Sequence, residues 1–568
     1  MVDQSVVDRI FIPGLDRGLW LAGQQSIQPT RCEAAKVDAL SLCSNTLQRL
    51  TAHDILATKQ KWDKSVVFPT ILVVAESVSV SKSTLRIGKK VVLNSTSGAR
   101  FRNKIRQRYK ATEAAITAKL DAAAAQNIFD VPVYSGDYKD LDLVIETKNF
   151  FNFYHFVKES FPLLTLYRKH QLRGKIIFAG GGEVSGFIRR LISTWFPDLS
   201  DVIEVDASSG TRKFDFALFG LNTSHLYFQT RNASMQDIDD VGVAVPRSAS
   251  MANFVSLTNN SIEQPLLDFR DQTAAKVASG EKPTRRLYVT RKAERVRNVV
   301  GEELLLARLV RQGFEVVSFE DYDQFGQAQL MSQTEAMVTL HGAGLTNMIF
   351  MPRGSHVIEL SNLQTLEKRF GDFTPLATAA GIHYCHAFLD HDFDPSDEVP
   401  VIRKHGLRGV RIDDFQADVL SSWIAEMLDQ SNGKGFDSID MNLAELSTNQ
   451  LSQFIANNRY IYSNIPEFHL LDFDNSNVTG DDKSAMTALQ RALLLDPKNI
   501  HIQKKMLSFA AKLKDVTAFK HASIHARKYG GSEIRAFYSK KGWTFQGFSA
   551  APAAKSPASS ARKTSVPA

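Results

Sequence analysis

A glycine-rich segment, residues 341–347, has residue types suited to binding an anion. It reads His-Gly-Ala-Gly-Leu-Thr-Asn and follows a short apolar run at residues 336–340. Gly342 and Gly344 remove side chains just where a helix is predicted to begin, so a ligand could approach the backbone closely. Free backbone N–H groups and the positive end of a helix dipole would face that ligand. The segment therefore predicts a phosphate site, with His341 as a further donor.

The residues after this loop predict the rest of a strand–helix–strand unit. A Pro-Arg-Gly turn at residues 352–354 ends the helix and leads into a second strand at residues 356–360. Glu359 falls near the carboxyl end of that strand, where acidic side chains often hold ribose hydroxyls. A glycine turn can also serve purely steric purposes. If the loop does bind a ligand, these features indicate a nucleoside diphosphate.

Two basic residues could complete such a site. Arg291 and Lys292 end a predicted strand at residues 286–290, and they could bring fixed positive charge to the same crevice. A solvated strand end is the alternative, because Arg295 and Arg297 continue the charge. The first interpretation predicts that the charge on a departing diphosphate is stabilised by protein groups, with no metal ion.

Three blocks of the sequence resemble the catalytic domain of glycosyltransferase family 61. In chain order they are Asn152-Phe-Tyr-His-Phe-Val-Lys-Glu-Ser-Phe-Pro162, Arg285-Arg-Leu-Tyr-Val-Thr-Arg291-Lys292 and His341-Gly-Ala-Gly-Leu-Thr-Asn347. The blocks occur in the order that the family shows, and the resemblance as a whole covers about residues 140–395. The resemblance implies a glycosyltransferase that uses a nucleotide-sugar donor, inverts the anomeric carbon and has the two-domain GT-B fold.

The residues and the resemblance together predict which side chains carry the reaction. The predicted donor-binding residues are Arg291, Lys292, His341, Gly342, Ala343, Gly344, Asn347 and Glu359. For the catalytic base we predict His155, oriented by Glu159, because residues four apart on a helix share a face. The alternative is a core histidine packed between aromatic neighbours. Other candidates for the base are Asp137, Asp140 and Glu183.

Composition restricts the class of protein. Apolar residues make up 43% and charged residues 23%, as in globular proteins. No apolar run reaches the ~20 residues of a membrane-spanning helix. Three cysteines cannot form a disulfide framework. The His, Cys and Asp residues at 383–392 match no metal-ligand spacing, so we predict no bound metal. We predict no other cofactor. Without a recognisable signal peptide, a cytoplasmic location is expected.

A basic run lies between Lys82 and Lys110, where ten Lys or Arg residues occur without any Asp or Glu. An anionic membrane surface would gain ~1 kcal/mol for each basic residue near it, so peripheral contact with the inner face of the membrane is one prediction. A lipid-diphosphate acceptor would suit the same charge, and a solvated helix face is the alternative. Nucleic acid is not expected, because only Phe101 and Tyr109 interrupt the run.

Alternating strand and helix patterns predict an α/β protein with two Rossmann-like domains and a helical C-terminal appendage. The predicted parts are an N-terminal extension at 1–60, a Rossmann-like acceptor domain at 61–265, a Rossmann-like donor domain at 266–432, a helical region with one tetratricopeptide-like unit at 433–548, and a disordered tail at 549–568.

The family resemblance implies synthesis of capsular or other surface polysaccharide, with a glycan or lipid-linked acceptor. Two other functions fit the same sequence. One is a non-catalytic scaffold that binds a nucleotide sugar and uses its helical C-terminal region to recruit an assembly. The other is a nucleotide-sugar epimerase of the same fold, which would need paired acid and base groups beside the sugar.

Overall fold

A computed structural model describes most of the chain, and the described residues are 10–59, 64–81, 84–94, 131–147, 150–180, 183–208, 210–224, 261–278, 280–292, 297–365, 371–394, 398–429, 443, 446–459 and 462–545. The tail at 549–568 lies outside these ranges. Most of the basic run between Lys82 and Lys110 lies outside them as well, so its predicted contact with a membrane stays a prediction.

Strands alternate with helices, which makes this a mixed α/β protein. The strands in the first half of the described chain are β1 Ile10–Phe11, β2 Leu19–Leu21, β3 Thr30–Glu33, β4 Val37–Ser41, β5 Lys64–Phe68, β6 Thr70–Ser81, β7 Thr84–Ile87, β8 Lys90–Val92, β9 Leu143–Thr147, β10 Ile176–Gly180, β11 Ile203–Asp206, β12 Arg212–Asn222 and β13 Ser261–Glu263. Those in the second half are β14 Arg285–Thr290, β15 Val299–Val300, β16 Phe314–Ser318, β17 Thr334–Leu340, β18 His356–Ser361, β19 His383–Phe388, β20 Asp390–His391 and β21 Val410–Arg411.

The helices fall between these strands and then dominate the C-terminal region. The α-helices are Thr46–Lys59, Phe153–His155, Leu164–Lys169, Phe187–Trp195, Gln264–Val277, Glu302–Leu309, Gln324–Ser332, Thr374–Ala380, Ile402–His405, Asp414–Asp429, Thr448–Asn458, Pro466–Thr479, Asp482–Leu495, Ile500–Lys512, Val516–Tyr529 and Gly531–Lys541. Shorter turns are the π-helix Phe156–Ser160 and the 3₁₀-helices Phe161–Leu163, Pro197–Leu199, Val310–Gln312, Phe319–Asp321, Ala343–Phe350 and Leu363–Thr365. None of the described helices is long and apolar enough to span a lipid bilayer.

A six-stranded parallel sheet carries the glycine-rich segment. Its strand order is β16-β14-β17-β18-β19-β4. The predicted strand–helix–strand unit is present, since β17 and β18 pair in parallel on either side of the segment. The helix between them is the 3₁₀-helix Ala343–Phe350 rather than an α-helix, and its residues from Leu345 to Phe350 are all buried. Because all these strands are parallel, their carboxyl ends meet at one edge of the sheet.

The predicted N-terminal extension contributes strands to the sheets. β4 forms an edge of the six-stranded sheet by pairing in parallel with β19. β1, β2 and β3 pair with β8, β6 and β5 respectively. The short run of β4, Val-Asp-Ala-Leu-Ser, has too little periodicity to reveal a strand. Residues 10–41 are therefore part of the sheet structure.

A nine-stranded mixed sheet forms the other half of the fold. Its main path is β1-β8-β7-β6-β12-β9-β10-β11, with β2 also paired to β6. A second strand–helix–strand unit is present here, because β10 and β11 are parallel and flank the helix Phe187–Trp195. β6, β7 and β12 pair in antiparallel fashion. This half therefore differs from an all-parallel Rossmann sheet.

The two large sheets share one hydrophobic core. Helix Gln264–Val277 connects the two halves, and Phe269 from this helix lies against Trp195 of the first half, with ring centroids 6.5 Å apart. Trp195 also stacks on Phe350 of the 3₁₀-helix, at a centroid distance of 5.2 Å. All three rings belong to one continuous cluster of buried residues. The helix next to the glycine-rich segment is therefore fixed against both halves.

The C-terminal helices form a second packed unit. Residues from Phe473 to Tyr538 bury a common core, which includes the predicted tetratricopeptide-like pair Asp482–Leu495 and Ile500–Lys512. Helix Val516–Tyr529 belongs to the same core. The additional helix supplies a neighbour that a single repeat would lack.

A buried basic cluster joins this unit to the N-terminal helix. The Arg49 guanidinium lies 3.1 Å from His525 Nε2 and donates to the Cys43 carbonyl oxygen at 3.0 Å. Arginine can only donate, so Nε2 of His525 must be the acceptor and the ring must be neutral. Burial and the adjacent Arg49 charge lower the pKa of His525 to about 3, and the same two causes lower the pKa of His53 to about 4.

Acid should therefore loosen the contact between the C-terminal unit and the N-terminal helix. Both histidines have pKa values near 6.5 when unfolded, so between that value and their folded pKa values the unfolded chain binds more protons. Their contribution to stability is complete above about pH 6.5 and declines as the pH falls towards 4. Melting curves from pH ~7.5 to ~5 should show this loss. His525→Gln keeps an acceptor but cannot titrate, so an equally steep pH dependence in this variant would contradict the assignment.

Candidate active site

A cleft of about 850 Å³ opens at the carboxyl ends of β14, β16 and β17. Phe153 brings the first half of the chain to its wall. The lining combines guanidinium groups, carboxylates and aromatic rings, contributed by Arg190, Arg291, Arg297, Glu320, Asp323, Phe319 and Tyr322. Ala343, Gly344 and Asn347 of the glycine-rich segment also line the cleft. The position agrees with the general rule that parallel sheets bind ligands at the carboxyl ends of their strands.

Two arginines converge on the first residue of the glycine-rich segment. Arg297 Nη1 donates to the His341 carbonyl oxygen at 2.7 Å, and Arg291 Nη2 donates to the same oxygen at 3.3 Å. A Cβ atom on Gly342 would lie 2.3 Å from Arg291 Nη2 and 3.4 Å from Arg297 Nη2. Glycine at this position therefore lets both guanidinium groups approach the start of the helix. The result is a concentrated positive charge facing the cleft.

Gly342→Ala should displace Arg291 without unfolding the protein. The backbone at Gly342 is extended, with φ of 163°, and the atom that the new Cβ would meet is the end of a flexible side chain. We expect a nearly unchanged melting temperature and, if the cleft binds the nucleoside diphosphate that the sequence predicts, about tenfold weaker binding of that ligand, which equals about 1.4 kcal/mol. Thermal melting and titration calorimetry measure the two quantities. Wild-type affinity in this variant would mean that the close approach of Arg291 to Gly342 does not contribute to ligand binding.

His341 belongs to a buried acid–base network. Its Nδ1 lies 2.6 Å from Glu359 Oε1, and the two side chains are only 4% and 2% exposed. The Tyr384 hydroxyl donates to the other oxygen of Glu359. His386 Nδ1 lies 3.6 Å from Oε1. Glu359 is thus occupied by protein groups, which differs from the direct contact with a ribose that the sequence predicted.

The order of the strands explains how this network forms. β17, β18 and β19 are adjacent, and their register places Glu359 directly beside His386. Tyr384 is two residues before His386 and therefore lies on the same face of β19. His386 Nε2 lies 2.7 Å from Ser361 Oγ, and burial lowers the pKa of His386 to about 4. His386 is therefore neutral and does not compete as a cation for the Glu359 carboxylate. Glu359 can then accept a hydrogen bond from His341 and orient its ring.

His155 and Glu159, the predicted catalytic base and its orienting partner, contact each other but do not line the cleft. His155 Nδ1 lies 2.8 Å from Glu159 Oε1, with the side chains 25% and 20% exposed. Phe153 is the cleft-lining residue of this helical run, and side chains two positions apart on a helix point in different directions. Glu159 lies in the π-helical turn Phe156–Ser160, a type of turn that is frequent at functional sites.

An aromatic bridge connects this helix to the glycine-rich segment. The Tyr154 ring lies 4.6 Å from Phe373, and Phe373 lies 5.5 Å from the His341 ring. The Tyr154 hydroxyl donates to the Asp372 carbonyl oxygen, and Lys158 Nζ donates to the same hydroxyl at 3.0 Å. The two His–Glu pairs therefore flank one packed junction between the halves of the chain.

The other predicted residues have different surroundings. Lys292 forms an ion pair with Asp321 and its side chain is well exposed. Asn347 is buried at the cleft wall, where its Nδ2 donates to Gln327 Oε1 at 3.0 Å. Asp137 and Asp140 both bind Arg173 at the surface, and Glu183 is exposed. Thus Arg291, Ala343, Gly344 and Asn347 meet in the cleft, whereas Lys292, His155 and Glu159 do not line it.

The histidine-containing segment at 383–392 lies on β19 and β20. His386 belongs to the Glu359 network, while His383 lies beside His356 at the other end of β18, with ring centroids 4.7 Å apart. Within the described ranges of the chain, no group of three or more His, Cys, Asp or Glu residues is arranged to hold a metal ion.

A comparison with known protein families matches the part of the chain that contributes most of the cleft lining. Residues 153–358 match the family model named Glycosyltransferase 61. A curated relative, the beta-1,2-xylosyltransferase XYXT1 of Oryza sativa subsp. japonica, is 24% identical over 226 residues. That alignment covers 38% of this chain and 43% of the relative, so the chain spans less than half the length of the relative. The match begins at Phe153 in the cleft and continues through both arginines to β18. Residues 153–358 of this chain are therefore similar to glycosyltransferase family 61.

Proposed function

We propose that this protein is a glycosyltransferase that moves a sugar from a nucleoside-diphosphate donor to a hydroxyl group of a glycan or lipid-linked acceptor. The observation that carries the proposal is the convergence of Arg291 and Arg297 on the glycine-rich segment, within a cleft and inside the family 61 match. Guanidinium groups hold phosphate oxygens well, because their planar N–H groups match the geometry of the anion.

The two arginines would stabilise the departing diphosphate. As the bond between the anomeric carbon and the diphosphate oxygen breaks, negative charge develops on that oxygen. Fixed donors already positioned at such an oxygen supply the electrostatic part of catalysis without reorganising during the reaction. The backbone N–H groups at the start of the 3₁₀-helix Ala343–Phe350 would add to this effect.

We assign the catalytic base to His155, with Glu159 as its orienting partner. The base would take the proton from the acceptor hydroxyl while the hydroxyl oxygen forms the new bond to the anomeric carbon. His155 does not line the cleft, so this assignment requires the acceptor to approach from the side of Phe153, which lies two residues away and lines the cleft. His155 is also more exposed than the buried His341. Attack opposite to the leaving group would invert the anomeric carbon. His341, held by Glu359, would orient the start of the glycine-rich segment.

A neutral pentose is our first candidate for the transferred sugar, because the relative's name describes xylosyl transfer. The two strand–helix–strand units, one in each large sheet, support a GT-B arrangement with the donor at the second. A cytoplasmic role in surface polysaccharide synthesis would complete the proposal, with the basic run between Lys82 and Lys110 contacting an anionic membrane.

A binding and turnover screen tests the proposal. Purified protein is titrated with UDP, GDP and CMP in a calorimeter, and then incubated with their common sugar conjugates while nucleotide release is followed. Binding of one nucleotide, with release of that nucleotide from its sugar conjugate, would support a transferase. Binding without turnover would favour the scaffold, and conversion of one nucleotide sugar into another would favour the epimerase. Binding to none of the nucleotides would overturn the proposal.

A further inference from the structure

A segment beyond the matched residues, 398–411, reaches both the cleft and the backbone next to Arg297. We refer to residues 398–411 as the strap. Leu407 of the strap lines the cleft. The strap ends in β21, which pairs in parallel with β15, and β15 begins two residues after Arg297. A segment outside the family match thus contacts the backbone that carries a guanidinium group of the cleft.

These two segments approach each other closely at Gly409. A Cβ atom on Gly409 would lie 2.0 Å from the backbone oxygen of Asn298 and 2.6 Å from its backbone nitrogen. Backbone atoms cannot move aside as the end of a side chain can. The next residue of the strap, Val410, donates its N–H to the same Asn298 oxygen at 2.9 Å. Since Asn298 follows Arg297 directly, any displacement of Asn298 is passed to Arg297.

Two buried amide side chains hold the strap from the other side. Asn362 Nδ2 donates to the carbonyl oxygens of Gly409 at 2.6 Å and Arg408 at 3.2 Å. Gln364 Nε2 donates to the Gly406 oxygen at 3.0 Å, and Gln364 Oε1 accepts from the Arg408 N–H at 2.6 Å. The strap therefore has a defined position between these amides and the Asn298 backbone, and Gly409 has no room to retreat.

The same turn joins the strap to the buried network. Asn362 follows Ser361, whose hydroxyl lies 2.7 Å from His386 Nε2 and 2.8 Å from Thr365 Oγ1. The strap, Arg297 and the Glu359 network are thus connected through directly bonded neighbours.

We propose that the strap positions the diphosphate-binding arginines and that Gly409 is a positioning residue for Arg297. This inference rests on the proposed function, because it assigns Arg297 to the leaving diphosphate. Arg297 Nη1 reaches the His341 oxygen at 2.7 Å, and a hydrogen bond of this kind weakens steeply when its geometry is disturbed. Anything that pushes Asn298 away from the strap should therefore weaken the hold on a nucleoside diphosphate.

The test compares Gly409→Ala with Gly210→Ala. Gly210 lies between β11 and β12, and a Cβ atom there would have no neighbour closer than 3.8 Å, so this substitution should be harmless. UDP and GDP are titrated into wild type and both variants. We expect about tenfold weaker binding in Gly409→Ala, as for the loss of a charge-assisted contact, and wild-type binding in Gly210→Ala.

A double variant separates positioning from a general defect. If Gly409 acts through Arg297, then adding Gly409→Ala to Arg297→Ala should cost no further affinity, because the two changes remove the same contact. Should Gly409→Ala fail to fold, Gln364→Ala loosens the strap without adding an atom and should weaken binding in the same non-additive way. Additive losses, or wild-type affinity in these strap variants, would overturn the inference while the proposed function stands. A wild-type protein that binds none of UDP, GDP and CMP would overturn both.

Discussion

Arg291→Ala should weaken binding of the nucleoside diphosphate by about tenfold to a hundredfold, the range expected when a hydrogen-bonding charged partner is lost. Arg291 lies at the cleft wall, and its Nη2 reaches the start of the glycine-rich segment. Under the proposed function, removing the guanidinium would leave Arg297 alone to balance the diphosphate charge. Titration calorimetry with UDP and GDP measures the loss, and release of nucleotide from its sugar conjugate should slow as well.

Arg285→Ala is the matched control for this prediction. Arg285 begins the same strand, β14, and its guanidinium pairs with Glu315 at the surface, at 2.6 Å. Exposed pairs of this kind contribute ~0–1 kcal/mol to stability, so the control protein should fold and bind as wild type does. Equal losses of affinity in the two variants would show that the effect comes from the lower net charge of the protein and not from the position of Arg291. Unchanged affinity in Arg291→Ala would remove Arg291 from the site.

The strand–helix–strand unit around the glycine-rich segment could be predicted because its signals are local. An apolar run, a glycine pair and a Pro-Arg-Gly turn at residues 352–354 follow one another within a short stretch. The structure confirms β17 and β18 and their parallel pairing. Its 3₁₀-helix was not predicted, because the packing of Phe350 against Trp195 involves a residue from the other half of the chain.

Arg297 was missed for a related reason. In the sequence it only continues a run of positive charge, which is typical of a solvated strand end. Its contact with the His341 oxygen depends on where β15 is held, and β15 is held by β21, which lies more than a hundred residues later. The close fit at Gly409 is likewise invisible in a sequence, since Gly409 has no motif around it.

The surroundings of Glu359 could not be predicted from β18 alone. Its position near the carboxyl end of a strand was predicted correctly. Which groups surround its carboxylate depends on the neighbour of β18, and β19 brings Tyr384 and His386 to that side. The sequence identified these residue types at 383–392 but could not place them against Glu359.

Glu359→Gln should lower kcat by about tenfold to a hundredfold, as expected for the loss of a hydrogen bond to a charged group, while the melting temperature changes by only a few degrees. The carboxylate accepts from His341 on one oxygen and from Tyr384 on the other. A glutamine has one oxygen, so one of the two donors must face an NH₂ group. The His341 ring would then lose its fixed orientation or the Tyr384 hydroxyl would lose its acceptor.

Tyr384→Phe distinguishes these two consequences, because it removes one hydrogen bond and keeps the carboxylate. If Glu359 acts by orienting His341, this variant should lose less kcat than Glu359→Gln, although both alter the same buried network. Steady-state kinetics of sugar transfer and melting curves are measured for both proteins. If the two variants lose the same amount of kcat and their melting temperatures fall in parallel, the network only stabilises the sheet. A larger kcat loss in Glu359→Gln than in Tyr384→Phe, at similar melting temperatures, would support a role for His341 in donor binding that depends on its Glu359 partner.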